Sequence, residues 1–116
     1  MSMSKAKVAL VHLGKVIRIS ERRIPPMQES KVRQIMSNVE TDVRDWPGLM
    51  NIETLMDTED SDKFMVVTEW ESRAHLRHWL RSDLHERVVK ELNEVLPNEP
   101  VKYRELMHHE DDVFLL

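Results

Sequence analysis

Cysteine is absent from this chain of 116 residues, and glycine occurs only twice, as Gly14 and Gly48. Without cysteine the chain has neither a disulfide framework nor thiolate chemistry. Two glycines are too few for a glycine-rich phosphate loop, and the sequence contains no nucleophile elbow and no zinc-ligand spacing. These absences argue against a nucleotide-binding enzyme, a cysteine-dependent enzyme and a zinc enzyme.

Long apolar runs and clustered basic residues are also missing. No stretch approaches the roughly 20 apolar residues of a membrane span, and the apolar run near the N-terminus is too short for a signal peptide. The net charge is -4, and the basic residues are spread along the chain without the patch that marks nucleic-acid binding. We therefore expect a single cytoplasmic domain over residues 1–116, with no nucleic-acid or membrane partner.

The first half of the chain predicts a strand followed by a helix. Residues Lys7–Arg23 alternate in the manner of a strand, with a bulge or bend at Gly14, and prolines follow. Asp45-Trp46-Pro47-Gly48 then ends a helix, because the residue before proline avoids the helical conformation. The helix is indicated by one apolar stripe, formed by Val32, Ile35, Met36, Val39 and Val43.

The second half of the chain predicts a hairpin, a helical region and a last strand. Leu49–Asp57 and Lys63–Trp70 both alternate, with a polar turn between them, and Val101–His109 offers the final strand. The order β-α-β-β-α-β predicts an α+β, ferredoxin-like fold: a four-stranded antiparallel sheet with its helices on one face.

The other face of this sheet calls for a second cover. The second and third strands are apolar on both faces, and a sheet of that kind is not left in water. The simplest cover is another copy of the same sheet, packed face to face around a two-fold axis. We therefore expect a homodimer through the sheet faces, a dimeric α/β barrel. The apolar tail Val113–Leu116 would then lie on the partner.

The stretch WESRAHLRHWLRSDLHERVVKEL, Trp70–Leu92, predicts two helices rather than one. Its two apolar stripes lie about 115° apart at helical periodicity, so one straight helix cannot keep both on the sheet. A break at residues 81–83 resolves this, with helices over 72–80 and 83–95 and Ser82 or Asp83 as the new N-cap. Such a kink opens a gap in which a ligand can sit. The stripes are Leu76, Trp79 and Leu80, then Leu84, Val88, Leu92 and Val95.

The histidines fall into different classes by position. His75 and His78 point away from the apolar stripe and are expected to face water. His85 falls at the edge of the second stripe, as either a first-turn helix residue or a pocket-lining base or axial ligand. His108 and His109 are adjacent on a strand and point to opposite faces, so they do not form a metal site. No metal is expected anywhere.

Three segments together resemble a known family. They are WPGLMNIETL, then FMVVTEWESRAHLRHWLRSDLH, then a final strand after a proline. From about Val16 to Leu106, the chain resembles the antibiotic biosynthesis monooxygenase family. The resemblance implies the face-to-face dimer described above. It also implies a small monooxygenase that oxidises quinols, anthrones or similar polyketide aromatics without a cofactor, either metal or flavin.

A haem-degrading branch of these relatives offers an alternative. Trp79 followed by the pair Ser82-Asp83 is similar to that branch, which would make haem the cofactor. The axial histidine of the branch falls on Val89, however, and its first-strand asparagine has no counterpart in Lys7–Arg23. His85, one helical turn before Val89, would have to replace that ligand.

These considerations give a candidate site and three functions. His85 is the candidate catalytic base, Trp79 would stack on a small aromatic substrate, and Asn51 and Arg18 would donate hydrogen bonds to its anion. His12 would border the cavity or contact the partner chain. The alternatives to a monooxygenase are a haem- or tetrapyrrole-binding protein and a non-catalytic dimeric ligand-binding module. In such a module the chain's own Met and Leu side chains would fill the cavity.

Overall fold

The computed structural model of the protein describes residues 14–96 and 101–107. The predicted His12, His108, His109 and C-terminal tail lie outside these residues. The described part contains four strands and three helices. They are β1 (Val16–Arg23), α1 (Glu29–Val43), β2 (Leu49–Met56), β3 (Lys63–Trp70), α2 (Arg73–Leu80), α3 (Asp83–Val95) and β4 (Lys102–Met107).

The strands form one antiparallel sheet in the order β2-β3-β1-β4. The two central strands, β1 and β3, are the first and third along the chain. The connection from β1 to β2 therefore passes over β3, and the connection from β3 to β4 passes over β1. Val16 of β1 lies between Trp70 of β3 and Met107 of β4. The predicted ferredoxin-like fold and its antiparallel sheet are confirmed.

One face of the sheet carries the core. The buried strand side chains Val16, Phe64, Thr68 and Trp70 all point to this face, which the helices cover. We call it the helix face and the opposite one the open face. The stripe predicted for α1 is buried in full: Val32, Ile35, Met36, Val39 and Val43 are each at most 5% exposed.

The helix boundaries agree with the sequence prediction, whereas two details of the strands do not. The chain bends at Gly14 as expected, but β1 begins only at Val16, and the rest of the predicted first strand lies outside the described residues. The predicted alternation of β2 is wrong at its start. A bulge between Leu49 and Asn51 inserts one residue, so Leu49 faces the core beside Trp70 and Met50 is 45% exposed.

Gly48 allows the helix face to close around the start of α2. Its φ angle of 82° is in the left-handed region, and a Cβ atom there would overlap the imidazole of His75. The backbone also bonds across this turn, because Glu71 N–H donates to the Gly48 carbonyl at 2.8 Å. Glycine is thus required by both conformation and space.

Replacing Gly48 with alanine is expected to lower the free energy of unfolding by about 2–5 kcal/mol. The left-handed backbone costs about 1–2 kcal/mol, and the overlap with His75 costs about 1–3 kcal/mol. Thermal or urea unfolding measures the loss. The double variant with His75→Ala removes the overlap with the ring but not the overlap with the Cβ of residue 75, so only a small recovery is expected. Full recovery, or no loss in the single variant, would contradict the conformational argument.

Candidate functional site

Ser82 joins α2 to α3 and fixes the two side chains predicted to form the site. Its hydroxyl donates to the Trp79 carbonyl at 2.6 Å and accepts the His85 backbone N–H at 3.1 Å, as an N-cap does. The break between the helices is where the sequence predicted it, and Ser82 is the cap. As a result the rings of Trp79 and His85 meet edge to face, with 5.2 Å between centroids.

Trp79 is the centre of an aromatic cluster on the helix face. Its ring lies 6.2 Å from that of Trp70 and 5.2 Å from that of Trp46, and the side chain is only 7% exposed. Trp70 Nε1 donates to Thr68 Oγ1 at 2.9 Å, whereas Trp46 Nε1 is buried without a hydrogen-bond partner among the described residues. The cluster holds Trp79 rigidly against His85.

His85 is partly buried and poised to stay neutral. Burial lowers the pKa of its imidazole most, and Arg18 and then Arg22 lower it further. A hydrogen bond with the Leu80 backbone opposes these effects, because the ring N–H that donates to the carbonyl favours the charged form. The ordinary pKa of histidine is near 6.5, so the ring is neutral at pH 7, and its other nitrogen carries a free lone pair.

Two arginines of β1 face His85 from the sheet. Arg18 and Arg22 lie on the helix face with Ser20 between them, and Tyr103 of β4 pairs with Ser20. The Arg18 guanidinium lies 4.2 Å from the centroid of the Tyr103 ring, a cation–π contact. Arg22 Nη1 donates to Asn93 Oδ1 of α3 at 3.1 Å. The strand and the helix therefore present their polar groups to the same space.

This space has more positive than negative charge. Burial lowers the pKa of both Arg18 and Arg22, while Tyr103 opposes the shift in each and Glu105 opposes it for Arg18. Glu105 also forms an ion pair with Arg73, whose Nε lies 3.2 Å from Glu105 Oε2 without the geometry of a directed hydrogen bond. Glu105 thus interacts with Arg73 and Arg18 but not with Arg22, which suits the site to an anion.

The structure brings together three of the predicted site residues. Trp79, His85 and Arg18 share the helix face. Asn51 lies on the open face opposite Glu69, and its amide donates to Glu53 Oε1 at 3.0 Å. Asn51 therefore lies on the far side of the sheet from His85.

The other histidines of α2 have distinct surroundings. His78 is exposed, with its ring 5.7 Å from that of Trp46. His75 is partly buried, because its ring packs on Gly48 and its Nδ1 lies 2.7 Å from Ser72 Oγ. His78 faces water as predicted, and the His75 side chain, 40% exposed, faces water in part because the turn at Gly48 closes over one side of it. Among residues 14–96 and 101–107, no three His, Asp or Glu side chains are grouped to hold a metal ion.

Sequence reasoning missed Arg22, Tyr103 and Asn93. The sequence does contain a signal for Arg22. Val16, Arg18 and Arg22 are spaced to share one face of β1, and the apolar Val16 marks that face as the inward one, so both arginines occupy inward positions. Nothing in the sequence pairs Tyr103 with Ser20, because that contact depends on the register of β4.

Comparisons with known proteins identify relatives by sequence and by structure. The family model described as antibiotic biosynthesis monooxygenase matches residues 16–91. No curated protein matches the chain. In the part that the structure describes, no helix is long and apolar enough to cross a membrane.

Several solved structures share the fold at low sequence identity. A protein from Caulobacter crescentus, described as a "putative antibiotic biosynthesis monooxygenase", aligns with a TM-score of 0.76 at 12% identity, over 86% of this chain and 94% of its own. A protein from Nitrosomonas europaea with the same description gives 0.75 at 11%, over 83% and 91%. A conserved protein from Methanosarcina mazei gives 0.74 at 12%, over 84% and 96%. At these identities the alignments establish the fold.

Proposed function

This chain belongs to the antibiotic biosynthesis monooxygenase family, and we propose that it is a small monooxygenase that oxidises an electron-rich aromatic without metal or flavin. The observation that carries the proposal is the imidazole of His85, partly buried, neutral at pH 7 and flanked by Arg18 and Arg22. A neutral base beside fixed cations can remove a proton from a substrate and stabilise the anion that forms.

Each group has a defined part in this reaction. His85 accepts the proton of a phenol, quinol or anthrone at its free ring nitrogen, while its other nitrogen stays bonded to the Leu80 carbonyl. The Arg18 guanidinium stabilises the resulting oxyanion, and Tyr103 keeps Arg18 in place through its ring. The indole edge of Trp79 restricts the orientation of the imidazole. The protein supplies the base and the charge, and the substrate supplies the electrons.

The overall chemistry balances with molecular oxygen alone. For an anthrone, the anion transfers one electron to O₂, and the two radicals combine into a peroxide at the former CH₂ carbon. The peroxide takes back the proton held by His85 and loses water, leaving a carbonyl. One oxygen atom enters the product, the other leaves as water, and the CH₂ group provides the four electrons.

Oxygen uptake tests this proposal directly. Purified protein is mixed with a panel of anthrones, quinols and catechols in chelator-treated buffer, and O₂ consumption is followed with ¹⁸O₂ labelling of the product. We expect uptake of one O₂ per substrate, with one labelled atom in the product carbonyl. No turnover across the panel, with ligand binding retained, would instead favour the non-catalytic ligand-binding module.

Haem is the alternative ligand, and the charges at His85 do not suit it. Arg18 and Arg22 disfavour a proton on the imidazole, and they equally disfavour an Fe³⁺ centre bound there. The same arginines would favour the haem propionates, so a haemin titration is needed to distinguish haem binding from the monooxygenase proposal. We expect no His85-dependent Soret shift. A shift that His85→Ala abolishes would replace the monooxygenase proposal with haem binding.

We further propose that the open face pairs two subunits. Its apolar side chains are Ile17, Ile19, Leu55, Met65, Val67 and Leu106, and Leu55 and Leu106 are 44% and 40% exposed. One row across the sheet reads Glu53, Val67, Ile19 and Arg104. A two-fold axis along the strands sets Glu53 over Arg104 of the partner subunit and Val67 over Ile19 of the partner subunit. The row is thus complementary to itself.

A further inference from the structure

The arginine pair, Arg18 and Arg22, has hydrogen-bonding capacity that the described residues leave unused. A guanidinium has five N–H donors. Arg18 stacks on Tyr103 and makes no side-chain hydrogen bond to any residue in 14–96 or 101–107, while Arg22 makes one, to Asn93. Both side chains are partly buried, so water cannot fully replace the missing acceptors. Such donors match the two oxygens of a carboxylate.

The site also has more positive charge than the proposed chemistry uses. Deprotonation of a phenol by His85 creates one negative charge, and Arg18 is the cation that stabilises this charge. Arg22 remains uncompensated, because Glu105 on β4 is shared between Arg73 and Arg18. No carboxylate of the described residues forms an ion pair with Arg22. The site therefore has room for a second, permanent negative charge.

The spacing of the two cations fits an aromatic ring. Arg18 and Arg22 are four residues apart on β1, so their Cα atoms are separated by about 13 Å. Ser20 between them has a short side chain, and the Tyr103 ring opposite it lies at the same level, with the Arg18 guanidinium over one face of it. A planar ligand can lie over Ser20, beside the Tyr103 ring, with one polar substituent at each arginine.

We infer that the substrate is an aromatic acid, that is, a phenol or quinol that carries a carboxylate. Arg22 binds the carboxylate, while the phenolic oxygen that loses its proton lies at Arg18 and His85. This inference rests on the proposed function and specifies its substrate class. Asn93 is a positioning residue, since it holds the Arg22 guanidinium from α3. Neutral quinols of the same size are poor ligands, because they leave one partly desolvated cation without a partner.

A matched pair of ligands tests the inference without turnover. The binding of 2,5-dihydroxybenzoate and of its methyl ester is measured under nitrogen by calorimetry and by tryptophan fluorescence. We expect the acid to bind about 10–100-fold more tightly, with an affinity that falls as salt is added. Equal affinities, or an acid preference that salt does not weaken, would overturn the inference.

Variants locate the preference on Arg22. Arg22→Gln is expected to remove the difference between acid and ester, and Arg22→Lys to keep part of it, because lysine retains the charge but not the two-pronged geometry. Arg33→Gln, an exposed arginine of α1, is the matched control and should keep the full preference. Thermal melting of each variant confirms folding. If Arg22→Gln and Arg22→Lys both bind the acid as wild type does, Arg22 is not the carboxylate site.

Binding and oxidation fail in different ways. An acid preference without oxygen uptake would leave the anion site in place and contradict the monooxygenase proposal. Equal turnover of acids and neutral quinols would support the monooxygenase and contradict the substrate class.

Discussion

Replacing His85 with glutamine is expected to lower kcat/KM for oxygen uptake by about 10²–10⁴-fold, the usual contribution of a positioned base. Glutamine can still donate to the Leu80 carbonyl and fills a similar volume, so α3 keeps its N-cap at Ser82. What it cannot do is accept a proton from the substrate. The loss should therefore appear in kcat/KM with little change in the melting temperature.

His78→Gln is the matched control for this prediction. His78 is an exposed histidine of the preceding helix, outside the polar site. We expect its oxygen uptake to equal that of the wild type. If His85→Gln also retained wild-type kcat/KM, proton transfer would have to use another group, and the assignment of His85 as the base would be wrong.

The pH dependence of kcat/KM carries the same argument further. Burial, Arg18 and Arg22 lower the pKa of His85, so the neutral base persists below pH 6.5 and activity declines only as the pH falls through that lowered pKa. Arg18→Gln removes the larger of the two electrostatic causes. The acidic limb of the profile should then move upward, toward pH 6.5. An unchanged limb in this variant would show that a different group titrates.

Local patterns predicted the helical parts of this protein well. The stripe of α1 repeats at helical spacing, and the shift of the stripe after Leu80 demanded a second helix. Ser82 was a candidate cap because serine commonly accepts a backbone N–H at a helix start. Each of these features depends on residues within about one or two turns of one another, so the sequence contains the information directly.

The site depends on contacts that sequence spacing does not encode. Tyr103 reaches Arg18 only because β4 pairs with β1 in one register, over a separation of many residues. The face of Leu49 depends on a bulge that inserts one residue after it, and strict alternation could not anticipate it. The sequence predicted Trp79 and His85 as neighbours because only the turn at Ser82 separates them. It did not predict Arg22 as a site residue, because its partner Asn93 lies on another element.

Replacing Val67 with aspartate is expected to convert the proposed dimer to monomers at micromolar concentration. Val67 lies near the middle of the open face, paired with Ile19 on β1 and Glu53 on β2. The two-fold axis places two new carboxylates in the interface, each between Ile19 and Glu53 of its own sheet. An unpaired buried charge costs about 3–5 kcal/mol, so the dimer should weaken by at least about 10²-fold. Light scattering over a dilution series measures the mass directly.

Met27→Asp is the matched control, with the same new charge on a side chain outside the sheet. Met27 is 97% exposed and has a φ of 69°, a conformation that aspartate tolerates. This variant should keep the wild-type mass. Because association stabilises the folded subunit, Val67→Asp should also lower the melting temperature and make it independent of protein concentration. A Val67→Asp protein with wild-type mass and melting temperature would mean that the open face is not the surface through which the subunits associate.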